Sequence, residues 1–324
     1  MLVAGLEVLG CLALLVVATA FAAVPHLIGG KDSTYLPPDR SLGPGQAASS
    51  PGAGQPPASP SEQPLRIAWP RRGQAAYVLG DALPAGSPNQ QPAPIASLAK
   101  VMTAYLTLTR YPLSGEDGGF SIIVTPAQAE AEVQDAHQGQ SVVAVRAGEQ
   151  LTERQLLEAL LIPSGDNIAW MLATQDAGSQ TAFLAEMNAE ARALGMGHTI
   201  YTDPSGFDPG TVSTAADQLR VFQQALRFPV FGQIVSMPSV TLPVAGRVRN
   251  YNPLIAEGYV GKTGSDSAAG GCLAFFNRVT VGGHQLTLVG VVMGQGEGGD
   301  TPTLLAAAGE AAERLVDSVA PAAR

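Results

Sequence analysis

Lysine is nearly absent from this chain. Of 18 basic residues, only Lys31, Lys100 and Lys262 are lysine; the rest are arginine. Charged residues make up 14% of the 324, with a formal net charge of −9. That balance argues against a nucleic-acid partner, which would need a basic surface. The two cysteines, Cys11 and Cys272, do not suggest a disulfide framework. Both read as small apolar residues, Cys272 within a strand. Histidine occurs four times, and His137, His198 and His284 sit in no pattern that suggests a base. No Gly-x-Ser-x-Gly elbow exists either, which speaks against a Ser-His-Asp hydrolase. Internal repeats are missing.

What the chain does have is apolar residues, 46% of the total, enough for a core. There is room for one large domain or two small ones. Val8 to Val24 carries no charge, long enough for a membrane helix or a signal-peptide core. Residues 1–30 read as an uncleaved anchor, because the apolar run continues past the candidate cleavage triplet Ala18-Thr19-Ala20. A cleaved signal segment is the alternative. Residues 31–64, rich in Pro, Ser, Gly, Ala and Gln from Pro37 onward, cannot build a core and read as an extended tether. The expected arrangement is a folded region, 65–324, held on the extracytoplasmic side of a cell membrane, or secreted if the leader is cleaved.

In the folded region both lysines fall in candidate motifs. Ser97 and Lys100 stand three apart at the start of the apolar run Val101–Leu108, which reads as a buried helix. Positions three apart share a helix face, so the Lys100 amine can reach the Ser97 hydroxyl. A serine there can be a nucleophile with the lysine as proton acceptor. A lysine accepts a proton only while neutral. Burial or a neighbouring cation must therefore act on an amine that, free, titrates near ~10.4. The alternative is a helix N-cap serine beside an unrelated surface lysine.

Two further motifs follow. Pro163-Ser164-Gly165-Asp166-Asn167 makes a polar break between apolar segments. Read alone, it fits an ordinary helix–helix turn. Tyr259-Val260-Gly261-Lys262-Thr263-Gly264 reads as a strand whose edge could bind an extended peptide, with Lys262 and Thr263 on a carboxylate. An exposed edge-strand lysine is the other reading.

The remaining pattern is α+β. Ala75–Leu79 reads as a strand, and Ser141–Arg146 alternates weakly enough to be another. Thr152-Glu153-Arg154-Gln155 is a capping box opening a helix over Leu156–Ile162. Helices are expected over Ile168–Ala177, Gln180–Leu194 and from Ser213 to about Arg227. Val240–Ala245, Tyr259–Thr263, Cys272–Val281 and Gln285–Met293 read as strands, with Gly282-Gly283 as a hairpin turn. Thr301–Val319 reads as a closing helix. The expected fold is an antiparallel sheet flanked by helices, plus a helical lobe.

Taken together, Ser97-Leu98-Ala99-Lys100, Ser164-Gly165-Asp166 and Lys262-Thr263-Gly264, in that order, are the signature of penicillin-recognising serine enzymes. With Leu160-Leu161-Ile162-Pro163, Ser213-Thr214-Ala215-Ala216-Asp217 and Asn250-Tyr251-Asn252, the chain resembles the low-molecular-mass D-alanyl-D-alanine carboxypeptidases, peptidase family S11. The resemblance spans about Gln74 to Gln295. It implies a DD-peptidase/β-lactamase-like fold and a substrate of peptidoglycan stem peptides ending in D-Ala-D-Ala. Ser97 would form an acyl-enzyme and Lys100 would be its base. Ser164 would relay a proton towards the leaving amine. Asp166, Asn167, Lys262, Thr263, Gly264 and Ser265 would bind substrate, and the Ser97 and Ser265 amides would form an oxyanion hole. No metal or organic cofactor is implied, β-lactams would acylate Ser97, and a monomer is expected.

Asp166 departs from the family pattern, which has Asn there. A carboxylate keeps an acceptor, loses the amide donor and favours a charged Lys100. Asn167, next to it, could take over, Asp166 could be protonated or paired, or turnover could be slow. Asp266 likewise replaces the usual Thr. The small C-terminal β-domain and C-terminal anchor of many relatives are expected to be missing. Two other functions compete. A class A-like β-lactamase would need a Glu-x-x-Leu-Asn loop, which does not occur; Glu186 and Glu190 lie in a predicted helix. A binding module that has lost turnover is kept open by Asp166.

Overall fold

The computed structural model describes residues 67–320; the leader expected over 1–30 and the tether over 31–64 lie outside them. Strand β1 (Gln74–Leu79) is followed by two short strands, β2 (Ala85–Gly86) and β3 (Ala93–Pro94). A 3-10 turn over Ala96–Leu98 leads into helix α1 (Ala99–Arg110). The helical lobe continues through β4 (Ser121–Ile123), α2 (Pro126–His137), β5 (Gln150–Thr152), α3 (Glu153–Leu161), α4 (Asp166–Ala177) and α5 (Gln180–Ala193). It closes with β6 (Val212–Ser213), α6 (Ala215–Ala225) and α7 (Pro229–Val235). Then come the hairpin β7 (Ser239–Leu242) and β8 (Gly246–Arg249), strands β9 (Val260–Asp266), β10 (Gly270–Val281) and β11 (His284–Gln295), and helix α8 (Thr301–Val319).

Five strands form one antiparallel sheet in the order β2-β1-β11-β10-β9. Side chains alternate faces along a strand, and two separate apolar layers result. Ala75, Leu273, Phe275 and Val292 pack with Ala308, Ala312 and Leu315 of α8 on one face. Ala76, Cys272, Ala274 and Val291 pack with the helical lobe on the other. α1 runs through the middle of that lobe. Val101, Met102, Ala104 and Leu108 are all buried, as the unbroken apolar run predicts. Gly282 and Gly283 both take positive φ, +57° and +81°, and close the β10–β11 hairpin as expected.

Three expectations are corrected. Ser141–Arg146 is not a strand. In place of a partner strand, the Asp166 side chain accepts from the Ser141 amide while the Asp166 amide donates to the Ser141 carbonyl, and the Asn167 side chain both accepts from and donates to Val143. Val240–Ala245 is not one continuous strand, since Pro243 falls at the β7–β8 turn. Third, α2 and α7 arise where none was read. α2 has no buried residue, so it lacks the apolar periodicity that marks a helix; its Thr125–Gln128 capping box and Pro126 fix its start. Among the described residues no helix is long and apolar enough to cross a membrane.

Candidate active site

Helix α1 owes its starting point to a strained residue. Ala96 has φ +45°, a left-handed conformation rare outside glycine. It turns the chain so that Ser97 opens onto a groove while Lys100, one turn later, is fully buried. The Lys100 Nζ lies 2.8 Å from Ser97 Oγ, 2.5 Å from Asp166 Oδ1 and 2.9 Å from the Ser205 carbonyl oxygen. The Ser-x-x-Lys spacing therefore delivers the contact it predicts.

Ser164 is the second left-handed residue, with φ +66°. It sits between α3 and α4 and lines the same groove. Its hydroxyl is 2.9 Å from the Lys262 Nζ, which also donates to the Thr263 carbonyl at 2.7 Å. Lys262 is 1% exposed. It does lie on the edge strand β9, yet that edge faces the helical lobe rather than solvent, so the exposed-lysine reading is wrong. Burial first, and then the charge of Lys100, hold the Lys262 amine well below the ordinary lysine range, with Asp166 opposing.

The groove, ≈ 590 Å³, runs between β9 and the lobe. Thr263, Gly264 and Ser265 form one wall, and Ser141, Val142, Pro163 and Ser164 the other. Gly264 permits a close approach: a Cβ there would lie 3.0 Å from both the Ser97 amide nitrogen and the Ile95 oxygen, tighter than ordinary contact. β9 and the nucleophile turn are thus pressed together. No glutamate lines the groove, and Glu186 and Glu190 bind Arg110 and Tyr105 instead. His137, His198 and His284 are exposed, and burial pushes the Cys272 thiol up to about 12.

Residues 79–297 match the family described as D-alanyl-D-alanine carboxypeptidase, peptidase family S11. The chain belongs to this family. It is 34% identical to a D-alanyl-D-alanine carboxypeptidase of Mycobacterium tuberculosis over 63% of this chain and 68% of that protein. It is 30% identical to a D-alanyl-D-alanine endopeptidase of Escherichia coli, over 60% of this chain and 61% of that one. Among solved structures, a penicillin-binding protein homologue from Mycobacterium tuberculosis aligns with a TM-score of 0.62 at 29% identity, covering 82% of this chain and 98% of that one. The Streptomyces K15 DD-transpeptidase shares the fold, with a TM-score of 0.64 at 22% identity over 76% of this chain and 96% of that one.

Against the family pattern, the structure brings together Ser97, Lys100, Ser164, Asp166, Lys262, Thr263, Gly264 and Ser265. Asn167 is the exception. Both its amide atoms are taken by the Val143 backbone, and its side chain lines a different cavity beside Trp170 and Met171. It does not replace the missing amide donor. Asp166 is instead paired, with Lys100 and with the Ser141 amide, 2.9 Å away. Sequence reading missed three groups. The Ser205 carbonyl on Lys100 comes from a loop organised by buried Asp203, which accepts from the Gly206 and Asp208 amides. Ser141 lines the groove from a segment read as a strand. Arg249, exposed at the groove's end, has no acid partner among the described residues. Only its adjacency to Asn250-Tyr251-Asn252 marked it.

Proposed function

We propose that this family member removes the terminal D-Ala from peptidoglycan stem peptides through an acyl-enzyme on Ser97, and that β-lactams acylate the same hydroxyl. The observation that carries this reading is the pair of contacts Ser97–Lys100 and Ser164–Lys262 under one groove. A substrate peptide lies in the groove between β9 and the lobe, extended alongside β9. Its scissile carbonyl rests against the Ser97 and Ser265 amides, which stabilise the tetrahedral oxyanion. Ser97 Oγ attacks, its proton passes to a buried amine, and the C–N bond breaks as that proton reaches the leaving amine. Water then cleaves the ester. The terminal carboxylate of the substrate meets Thr263, Ser265 and the Arg249 guanidinium. The same proposal places the domain outside the cytoplasm, as a monomer tethered to the membrane by residues 1–64; the apolar run and Pro-rich composition support it.

The test is intact-mass spectrometry of the chain mixed with benzylpenicillin, with Ser97→Ala alongside, followed by D-Ala release from a peptide ending in D-Ala-D-Ala. A Ser97-dependent adduct and D-Ala release are expected. An adduct that forms and vanishes within minutes, without D-Ala release, would mark a β-lactamase. No adduct at any concentration would leave a binding module.

A further inference from the structure

The geometry points to Lys262, acting through Ser164, as the acceptor of the Ser97 proton in this chain, with Lys100 held as a fixed ammonium by Asp166. This reverses the role that the Ser-x-x-Lys spacing assigns to Lys100, and it rests on the acyl-enzyme reading above.

Counting donors and acceptors separates the two amines. An ammonium has three N–H donors and no lone pair, whereas a neutral amine has two donors and one acceptor. Around Lys100 stand three oxygens: Ser97 Oγ, Asp166 Oδ1 and the Ser205 carbonyl. One of them is a buried carboxylate, and a charge-assisted bond of this kind is among the strongest in proteins. The set satisfies an ammonium completely. Around Lys262 stand two oxygens, Ser164 Oγ and the Thr263 carbonyl. An ammonium there would leave one buried N–H without a partner. A neutral amine donates to Thr263, accepts from the Ser164 hydroxyl and likewise keeps one N–H over, so at Lys262 the count is the same for both forms and charge must decide.

Charge makes the assignment. Lys100 and Lys262 are both buried, and among the described residues Asp166 is the one carboxylate in contact with either. Two ammonium groups with one carboxylate would strand a positive charge away from water, which is costly. One ammonium with one carboxylate is neutral overall. Since Asp166 touches Lys100, the amine that gives up its proton is Lys262. The downward shift of Lys262, from burial and from the neighbouring Lys100 charge, has the direction this requires.

The proton path crosses the groove that both serines line, since no direct hydrogen bond joins Ser97 Oγ to Ser164 Oγ among the described residues. The Lys100 ammonium donates to Ser97 Oγ, so the Ser97 hydrogen points elsewhere, into the groove that Ser164 also lines. As Ser97 Oγ bonds to the carbonyl carbon, its O–H breaks and the proton moves to Ser164 Oγ. The Ser164 proton moves in turn to the Lys262 lone pair. When the C–N bond breaks, Lys262 returns the proton through Ser164 to the leaving nitrogen. Lys100 neither gains nor loses a proton; its charge stabilises the oxygen of Ser97.

Scarcity of lysine makes the proposal directly measurable. Lysine labelled with carbon-13 at Cε gives three resonances in the full chain, assigned with Lys31→Arg and Lys262→Gln. Their titration is compared with the pH dependence of acylation by benzylpenicillin. The expected result is a Lys262 carbon titrating below the ordinary lysine range, with its midpoint on the acid limb of the acylation profile. Lys100 should remain an ammonium across that limb. Ser164→Ala should slow acylation on the order of 100-fold or more while both carbons keep their midpoints to within a small shift. A Lys100 carbon that titrates on the acid limb, or an acid limb that follows neither lysine, would overturn the relay and leave the acyl-enzyme intact. Failure to form any adduct would instead sink the acyl-enzyme reading itself.

Discussion

Ala96 and Ser164 are the two non-glycine residues with positive φ among the described residues, and each sits beside a hydroxyl of the site or bears one. Such conformations cost on the order of 1–3 kcal/mol each and persist only where surrounding contacts enforce them. At Ala96 the enforcement comes from Gly206. A Cβ on Gly206 would fall 1.8 Å from the Ala96 oxygen, and Gly206 itself has φ +85°. The loop that presents the Ser205 carbonyl to Lys100 is thereby pressed onto the nucleophile turn. Gly206→Ala must displace that loop, which withdraws one of the three Lys100 acceptors. Loss of more than ~1 kcal/mol of stability in urea unfolding is expected, together with slower penicillin acylation. Unchanged acylation would mean that the loop does not position Lys100.

Among the elements, α3 aims the second motif. Its N-terminus is fixed by Thr152, which accepts from the Gln155 amide while Gln155 returns a bond to the Thr152 amide. Its C-terminus runs through Ile162 into Pro163 and Ser164. Thr152→Ala removes the cap and should cost about 1 kcal/mol, read as a lower midpoint of chemical unfolding. The wild-type value would show that β4–β5 pairing alone holds the helix start. That cap was legible in the sequence because a capping box is a local pattern with a local cause. The buried run of α1, the Gly282-Gly283 turn and the Ser97–Lys100 contact were legible for the same reason. The Ser141–Arg146 segment was not. Ser141 and Val143 find their backbone partners at Asp166 and Asn167, more than twenty residues onward, and no local pattern encodes them. The pairing of Asp166 with Lys100 was among the alternatives open from the sequence, but its partner oxygen from Ser205 was hidden in a loop with no periodicity at all.

At the scale of the whole molecule, buried carboxylates set how stability responds to pH. Glu153, the first residue of α3, is 1% exposed and its Oε1 has no partner; burial pushes it up to about 7 from 4.5. Asp176 is buried with Oδ1 unpartnered and is pushed up to about 6, chiefly by burial. In both cases the folded chain binds the proton more tightly than the unfolded chain. Stability is therefore greatest on the acid side of these values. It falls as pH rises from the unfolded pKa, about 4 for such groups, through 6 and 7. Lys262 works with the opposite sign, because the fold favours its neutral form. Comparing wild type with Glu153→Gln isolates the first effect. The variant should gain melting temperature over the wild type at pH 8, and the gain should shrink at pH 5. A gain that is equal at both would show that Glu153 is not the proton site.

The order of strands in the sheet also bears on when the enzyme comes into being. β1 emerges early in synthesis, yet its Gln74 finds its neighbour only in Met293, and the groove wall β9 hangs on β10. Everything from α1 to α7 is made in between. A ribosome-bound chain therefore carries Ser97 and Lys100 long before it carries the strand that Ser97 is pressed against. Pairings so distant in sequence close slowly. Until the last strands have been made and have zipped onto the first, the nascent polypeptide has a nucleophile but no binding cleft, and it is inert towards peptide and antibiotic alike.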